Sequence, residues 1–177
     1  MKLEIQTLKQ YLDSLDVASE ILPPADEAFV EQLDIPLGVD EQDRPRRIIV
    51  MIEREDEDAE EEAEEDEDEV HLIKMLGILP IEVDHQHLGD TARMVSFVNH
   101  VADIPGFILS EPLASVHFLY GLACPNGEVE PEQFVATLGL VGTMMDLFQD
   151  QIEKVATGTT RFEDIISAEP EDEDEEE

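Results

Sequence analysis

Basic residues are scarce in this chain, and their scarcity excludes a first class of partner. The 177 residues include 10 Lys and Arg against 46 Asp and Glu, which gives a formal net charge of −36. Binding a phosphate backbone requires clustered Lys and Arg, and the densest cluster here is Arg44, Arg46 and Arg47. We therefore expect no nucleic acid partner, whereas a protein partner with a basic surface is compatible with this charge.

Cysteine and long apolar runs are also lacking. Cys124 is the single cysteine, so an internal disulfide is excluded and a cytoplasmic location is the simplest interpretation. The first ten residues carry Lys2, Glu4 and Lys9 and no seven-residue apolar core, so no secretory signal is predicted. No run approaches 18 uninterrupted apolar residues, and we expect no contact with a membrane.

Negative charge is abundant, and much of it lies in two runs. Residues 53–69 hold 14 acidic residues and residues 169–177 hold 8, and the rest of the chain has a net charge of about −15, as an ordinary soluble domain can have. Neither run has enough apolar surface to offset the entropy of ordering it. We predict a single domain over residues 1–168 with an acidic loop inserted at 53–69, followed by a disordered acidic tail at 169–177.

The longest periodic pattern lies in residues 131–155. Apolar residues recur there at alternating spacings of four and three, which predicts one buried face of a helix of about 25 residues. Pro131 suits the first helical turn, and Gly158 follows as a stop. The apolar positions are Phe134, Leu138, Val141, Met145, Phe148, Ile152 and Val155.

The rest of the pattern predicts a sheet and two further helices. Helical periodicity occupies residues 3–17 and 91–102, the second with Asp90 as its N-cap. A capping box at 160–163 predicts one more docked turn with Phe162, Ile165 and Ile166. Alternating or β-branched runs predict strands at 29–37, 47–52, 70–83, 107–109 and 116–123. The fold class is α+β, an antiparallel sheet packed with helices in the order α-β-β-β-α-β-β-α.

This element order resembles that of the YbjN-like family, whose fold is that of type III secretion chaperones. The similarity covers residues 3–155 and includes the segment Phe97-Val98-Asn99-His100, where the family often has an Asn late in the second helix, the strand pair at 106–123 and the helix that begins with Pro131-Glu132. The long acidic insertion departs from an ordinary member. The resemblance implies a non-enzymatic protein that dimerises or binds a partner segment, and it carries over no catalytic residue.

Metal binding has one candidate segment, Asp84-His85-Gln86-His87. His85 and His87 share a face if this segment is extended, but a zinc site normally needs three or four ligands. We therefore favour a polar connection and keep a metal- or small-molecule-responsive regulator as the alternative function. The acidic runs lack the spacing of a calcium loop, and no glycine-rich phosphate loop is present, so no cofactor is predicted.

Catalytic chemistry has no recognisable arrangement in the sequence. Cys124 and His117 are seven residues apart on one predicted strand, and an odd separation places them on opposite faces. We predict that Cys124 packs in the core or at its rim. No catalytic residue is assigned, and no enzymatic activity is expected.

Partner binding is the remaining hypothesis, and it has two candidate regions. Gly139 and Gly142 interrupt the long helix at a cost of about 1 kcal/mol each relative to Ala, which suggests close packing there against the sheet or, as a second option, against another subunit. The candidate partner-binding residues are Leu138, Val141, Met144, Met145, Glu55, Asp56, Glu57 and Asp58. We expect a protein that binds a protein partner, that is a homodimer, and whose acidic segments favour basic partners or solubility.

Overall fold

A six-stranded antiparallel sheet forms the centre of the fold. The computed structural model describes residues 1–23, 31–54 and 70–167. The strands are β1 (Glu20–Leu22), β2 (Gln32–Val39), β3 (Pro45–Arg54), β4 (Val70–Glu82), β5 (Phe107–Ser110) and β6 (Ser115–Pro125). Their order across the sheet is β1-β2-β3-β4-β6-β5, and each neighbouring pair is antiparallel. The two edge strands are therefore the shortest ones.

The helices of the described residues build one core with one face of this sheet. They are α1 (Ile5–Ser14), α2 (Leu88–Val101), α3 (Pro131–Ala156) and the short α4 (Phe162–Ser167). Because side chains alternate along a strand, the sheet contributes every second residue to this core. Members from both layers are Leu8, Leu12, Ile48, Val50, Met75, Met94, Phe118, Phe134 and Ile152. This confirms the predicted α+β class.

Helix α3 confirms the longest predicted element almost residue for residue. It begins at Pro131, and Gly158 follows its C-cap with φ +70°, a conformation that favours glycine. At 26 residues it is about 39 Å long. The close approach between α3 and the sheet occurs at a strand glycine, because a Cβ on Gly77 would come within 2.5 Å of the Met145 sulfur.

Several predicted boundaries differ from the structure. Helix α2 begins at Leu88, and a 3₁₀ turn at His85–His87 precedes it, so the predicted N-cap at Asp90 is wrong. Asp84 caps that turn instead, since its carboxylate accepts a hydrogen bond from the Gln86 backbone N–H at 2.9 Å. Strand β3 continues to Arg54, so the predicted acidic loop begins two residues too early.

Other differences are additions to the predicted order. The three-residue strand β1 was not predicted, and α4 takes the place of the docked turn. In α4, Phe162 is buried whereas Ile166 is exposed. Residues 55–69 and the tail at 169–177 lie outside the described residues, and so do residues 29 and 30 of the predicted first strand.

Candidate interaction surface

The sheet has a second face that does not belong to the core, and we call it the outer face. On β3, β4 and β6 it consists of the alternate residues that point away from the helices. Register places Ile49, Leu76 and Leu119 side by side on these three strands. The other members are Arg47, Met51, Glu53, Leu72, Lys74, Ile78 and His117, with Asp34 on β2 and Ile108 on β5.

The apolar residues of the outer face are separate from the core. Ile49 is buried, yet it is not part of the core cluster. Met51, Leu72, Leu76, Ile78 and Leu119 are half-buried and do not pack against that cluster. Within residues 1–23, 31–54 and 70–167, therefore, these side chains lie beside one another in register on the sheet, and the helix-covered core does not include them. An apolar sheet face of this kind is typical of an association surface.

The sequence builds this face because β3 and β4 are apolar at consecutive positions. A strand with one face in water normally alternates between apolar and polar residues, whereas residues 48–52 are all apolar. This pattern predicts a strand that is covered on both faces. Among the described residues, the core lies on one of those faces only.

The charged residues of the outer face neutralise each other in pairs. Arg47 donates to the Asp34 carboxylate at 3.2 Å, and Lys74 donates to Glu53 at 2.6 Å. Exposed pairs like these contribute little to stability, up to about 1 kcal/mol. Because of these pairs, the centre of the outer face has no net charge, although the whole chain has a net charge of −36.

His117 does not add charge to this face at neutral pH. Its neighbours in register are Ile78 on β4 and Ile108 on β5, and its Nε2 lies 3.0 Å from the Ser115 hydroxyl. Burial lowers the pKa of the His117 imidazole below its ordinary value, because a charged ring loses hydration there. Cys124 lies on the opposite side of the strand, fully in the core, as its odd separation from His117 predicted.

The partner-binding residues predicted on α3 lie in the core. Leu138, Val141, Met144 and Met145 are between 0% and 8% exposed, so they fill space between helix and sheet and offer no surface to a partner. The predicted packing of residues 138–145 against the sheet occurs where Met145 meets Gly77, and not at the helix glycines. A Cβ on Gly139 would have no neighbour within 4 Å, and one on Gly142 would meet only the Leu37 side chain at 3.9 Å. The acidic candidates Glu55, Asp56, Glu57 and Asp58 lie outside the described residues.

The histidine pair, the weaker of the two interpretations of this segment, does not have the extended geometry that a metal site there would need. His85 and His87 lie in a 3₁₀ turn, where residues two apart point in different directions, and not on an extended segment. The His87 ring packs against Gly158, where a Cβ would clash with it. In the part of the chain that the structure describes, no three His, Cys, Asp or Glu side chains are grouped to hold a metal ion.

A polar pocket of about 600 Å³ lies between the β2–β3 turn and α3. Asp40 is its hub, since its carboxylate accepts hydrogen bonds from the Arg44 backbone, the Arg44 guanidinium and the Gln149 amide. Arg44 also binds Glu153 with two hydrogen bonds of 2.5 and 2.7 Å. Ion pairs thus line this pocket, and they fasten the turn to the helix.

The electrostatics of this network follow from its hydrogen bonds. Burial by itself would raise the pKa of the Asp40 carboxyl, but the Arg44 and Gln42 donors outweigh it and hold that pKa well below its usual range. Sequence reasoning missed this network. The pattern Asp40-Glu41-Gln42-Asp43-Arg44 indicates a turn, but nothing in it identifies Glu153, 109 residues away from Arg44.

Asn99, near the end of α2, has a structural role. Its side-chain oxygen accepts hydrogen bonds from the Gly106 and Phe107 backbone N–H groups, and its amide donates to the Phe107 carbonyl at 2.8 Å. One side chain thereby joins the end of α2 to the start of β5. The geometry assigns Asn99 to folding and not to binding.

Comparison with known proteins adds no relative. No family model matches the chain, and neither a curated protein nor a solved structure matches it. Among the described helices, none has the length and apolar character needed to cross a membrane.

Proposed function

We propose that this protein is a protein-interaction protein with a chaperone-like role, without catalytic chemistry of its own. The observation that carries the proposal is the apolar outer face, which the core does not use and which no helix covers in the described residues. Burying such a face is favourable by roughly 25 cal/mol of hydrophobic free energy for each Å² of apolar surface removed from water. The resemblance to the YbjN-like family supports the same class.

The sign of the charge supports a basic partner. Almost every described Lys and Arg is already paired with a carboxylate of the same chain, as at Lys9, Arg44, Arg46 and Arg93. The unpaired surplus is therefore negative, and 13 of the 15 residues from 55 to 69 are acidic. The negative electrostatic field of these residues accelerates the encounter with a basic protein, and their charge keeps the complex soluble. We place this function in the cytoplasm.

The test is capture of partners from the native cytosol by immobilised protein, at low and at high salt. One variant neutralises the predicted acidic contacts by Glu55→Gln, Asp56→Asn, Glu57→Gln and Asp58→Asn. We expect the wild type to retain a discrete basic protein at low salt, and the neutralised variant to retain several-fold less. Salt should weaken capture by the wild type, because it screens exposed charge.

The matched control removes four carboxylates elsewhere. Glu31, Glu111, Glu128 and Glu130 are exposed, and their replacement by Gln changes the net charge by the same amount. Capture that falls equally in both variants would assign the effect to net charge alone. Equal capture by all three proteins at both salt concentrations would contradict the proposed role of the acidic segment.

A further inference from the structure

The outer face raises the question of what covers it, and its charge pattern favours one occupant. The carboxylates proposed to bind a basic partner lie at residues 55–58, whereas the centre of the outer face offers no free carboxylate to such a partner. Asp34 and Glu53 are the two carboxylates beside the apolar residues of the outer face. They are already bound to Arg47 and Lys74. The face therefore offers an apolar, neutral surface, which complements another surface of the same kind.

We propose that the outer face of one chain packs on the outer face of a second copy, forming a homodimer with the helices on the outside. This inference rests on the proposed role of the outer face as an association surface, and it names the occupant. The two sheets would pack about 10 Å apart, as in a sandwich. The apolar row of Ile49, Leu76 and Leu119 would lie at the centre of the contact.

The size of the face fits a dimer interface. Six strands at a spacing of about 4.8 Å, with a mean length of roughly eight residues at 3.3 Å each, give an area on the order of 800 Å². Stable interfaces bury about 800 Å² per partner. The apolar centre is surrounded by polar residues such as Glu20, Gln32 and Glu82, as is common for interfaces.

Pairing through the sheet edges is less favourable than pairing through the face. Strand β1 has three residues and β5 has four, so each edge offers few backbone groups to a second sheet. Each copy has a net charge of −36. Contact through the neutral outer face keeps most of this charge away from the interface. Mutual repulsion nevertheless opposes dimerisation, so salt should strengthen it.

The test measures the mass of the full chain in solution by light scattering and sedimentation over a range of concentrations. We expect the wild type at twice the 19.9 kDa of one chain. Leu76→Glu and Leu119→Glu should each raise the dimer dissociation constant at least tenfold, because each puts a carboxylate into the apolar centre. Leu147→Glu is the matched control, since Leu147 is 58% exposed on α3, and it should remain dimeric.

Two results would overturn the proposal. One is a wild type that stays monomeric at every concentration and salt tested, and the other is a dimer that persists in Leu76→Glu and Leu119→Glu. If circular dichroism shows that these variants are unfolded, a spin label at Ala123→Cys decides in the otherwise unchanged chain. Ala123 is exposed on the outer face, so a short distance between labels on two chains supports the dimer and its absence refutes it.

Salt separates this inference from the proposed function. Dimerisation strengthens with salt, whereas capture of a basic partner weakens. A monomer that still binds a basic protein overturns only the dimer. A dimer that captures no basic protein leaves the interface intact and contradicts the partner proposal.

Discussion

At the residue scale, the polar side chain of Asn99 has a predicted effect on folding. It satisfies two backbone N–H groups and one carbonyl between α2 and β5. Asn99→Ala leaves these half-buried groups without partners, so we expect the free energy of unfolding to fall by about 1–3 kcal/mol. Urea unfolding followed by circular dichroism measures this change.

Two companion variants make the Asn99 prediction specific. Asn99→Asp keeps an acceptor for both N–H groups and loses only the donor, so its loss of stability should be smaller than that of Asn99→Ala. Ser96 is exposed on the same helix, and Ser96→Ala should change stability by less than about 0.5 kcal/mol. Equal losses of stability in Asn99→Ala and Ser96→Ala would show that the Asn99 hydrogen bonds do not stabilise the fold.

At the element scale, the Asp40 network holds α3 against the β2–β3 turn. Because the pKa of Asp40 is lowered in the folded state, its carboxylate stabilises the fold above its unfolded pKa of about 3.9. This stabilisation is lost as the pH falls through the lower folded value. Asp40→Asn should therefore be less stable than the wild type at pH 7, and the difference should shrink as the pH falls below about 4.

The control for this prediction removes a carboxylate from the same helix without touching the network. Asp150 is exposed and pairs with Lys154 one turn away. Asp150→Asn should lie close to the wild type in urea unfolding at both pH values. The role assigned to the Asp40 charge is refuted if the difference in free energy of unfolding between Asp40→Asn and the wild type stays constant from pH 7 to pH 3.

At the scale of the whole molecule, self-repulsion of the −36 charges opposes the compact state. Arg54 and His71 are the last paired residues of the β3–β4 hairpin, so an Asn-Gly turn can replace residues 55–70. This change reduces the net charge to −23. We expect sodium chloride to raise the thermal midpoint of the wild type, and to raise that of the shortened chain less. Equal salt dependence would contradict this expectation.

Local patterns made much of the fold predictable, and contacts distant in sequence account for the rest. The period of residues 131–155 identified α3 because one helix face is buried along its whole length. The outer face was not predicted, because the apolar run at 48–52 is equally typical of a strand covered on both sides. The Asp40 network joins residues 109 apart, and no local spacing encodes such a pair.

The predicted binding residues on α3 illustrate a second reason for failure. Periodicity correctly indicated that Leu138, Val141 and Met145 share one helix face, but a buried face and a binding face have the same spacing. The glycines drew attention to the helix, whereas the glycine required for close packing is Gly77, on the strand beneath it. Which surface stays uncovered depends on the arrangement of all elements together.

The position of the acidic stretch gives the chain a natural dividing point. Strands β3 and β4 are neighbours in the middle of the sheet, and residues 55–69 join them. Residues 1–54 hold β1 to β3, and residues 70–177 hold β4 to β6. A cut, a new pair of termini or an inserted domain within 55–69 therefore interrupts no strand, and the two halves share the β3–β4 ladder through which they can reassemble as a split protein.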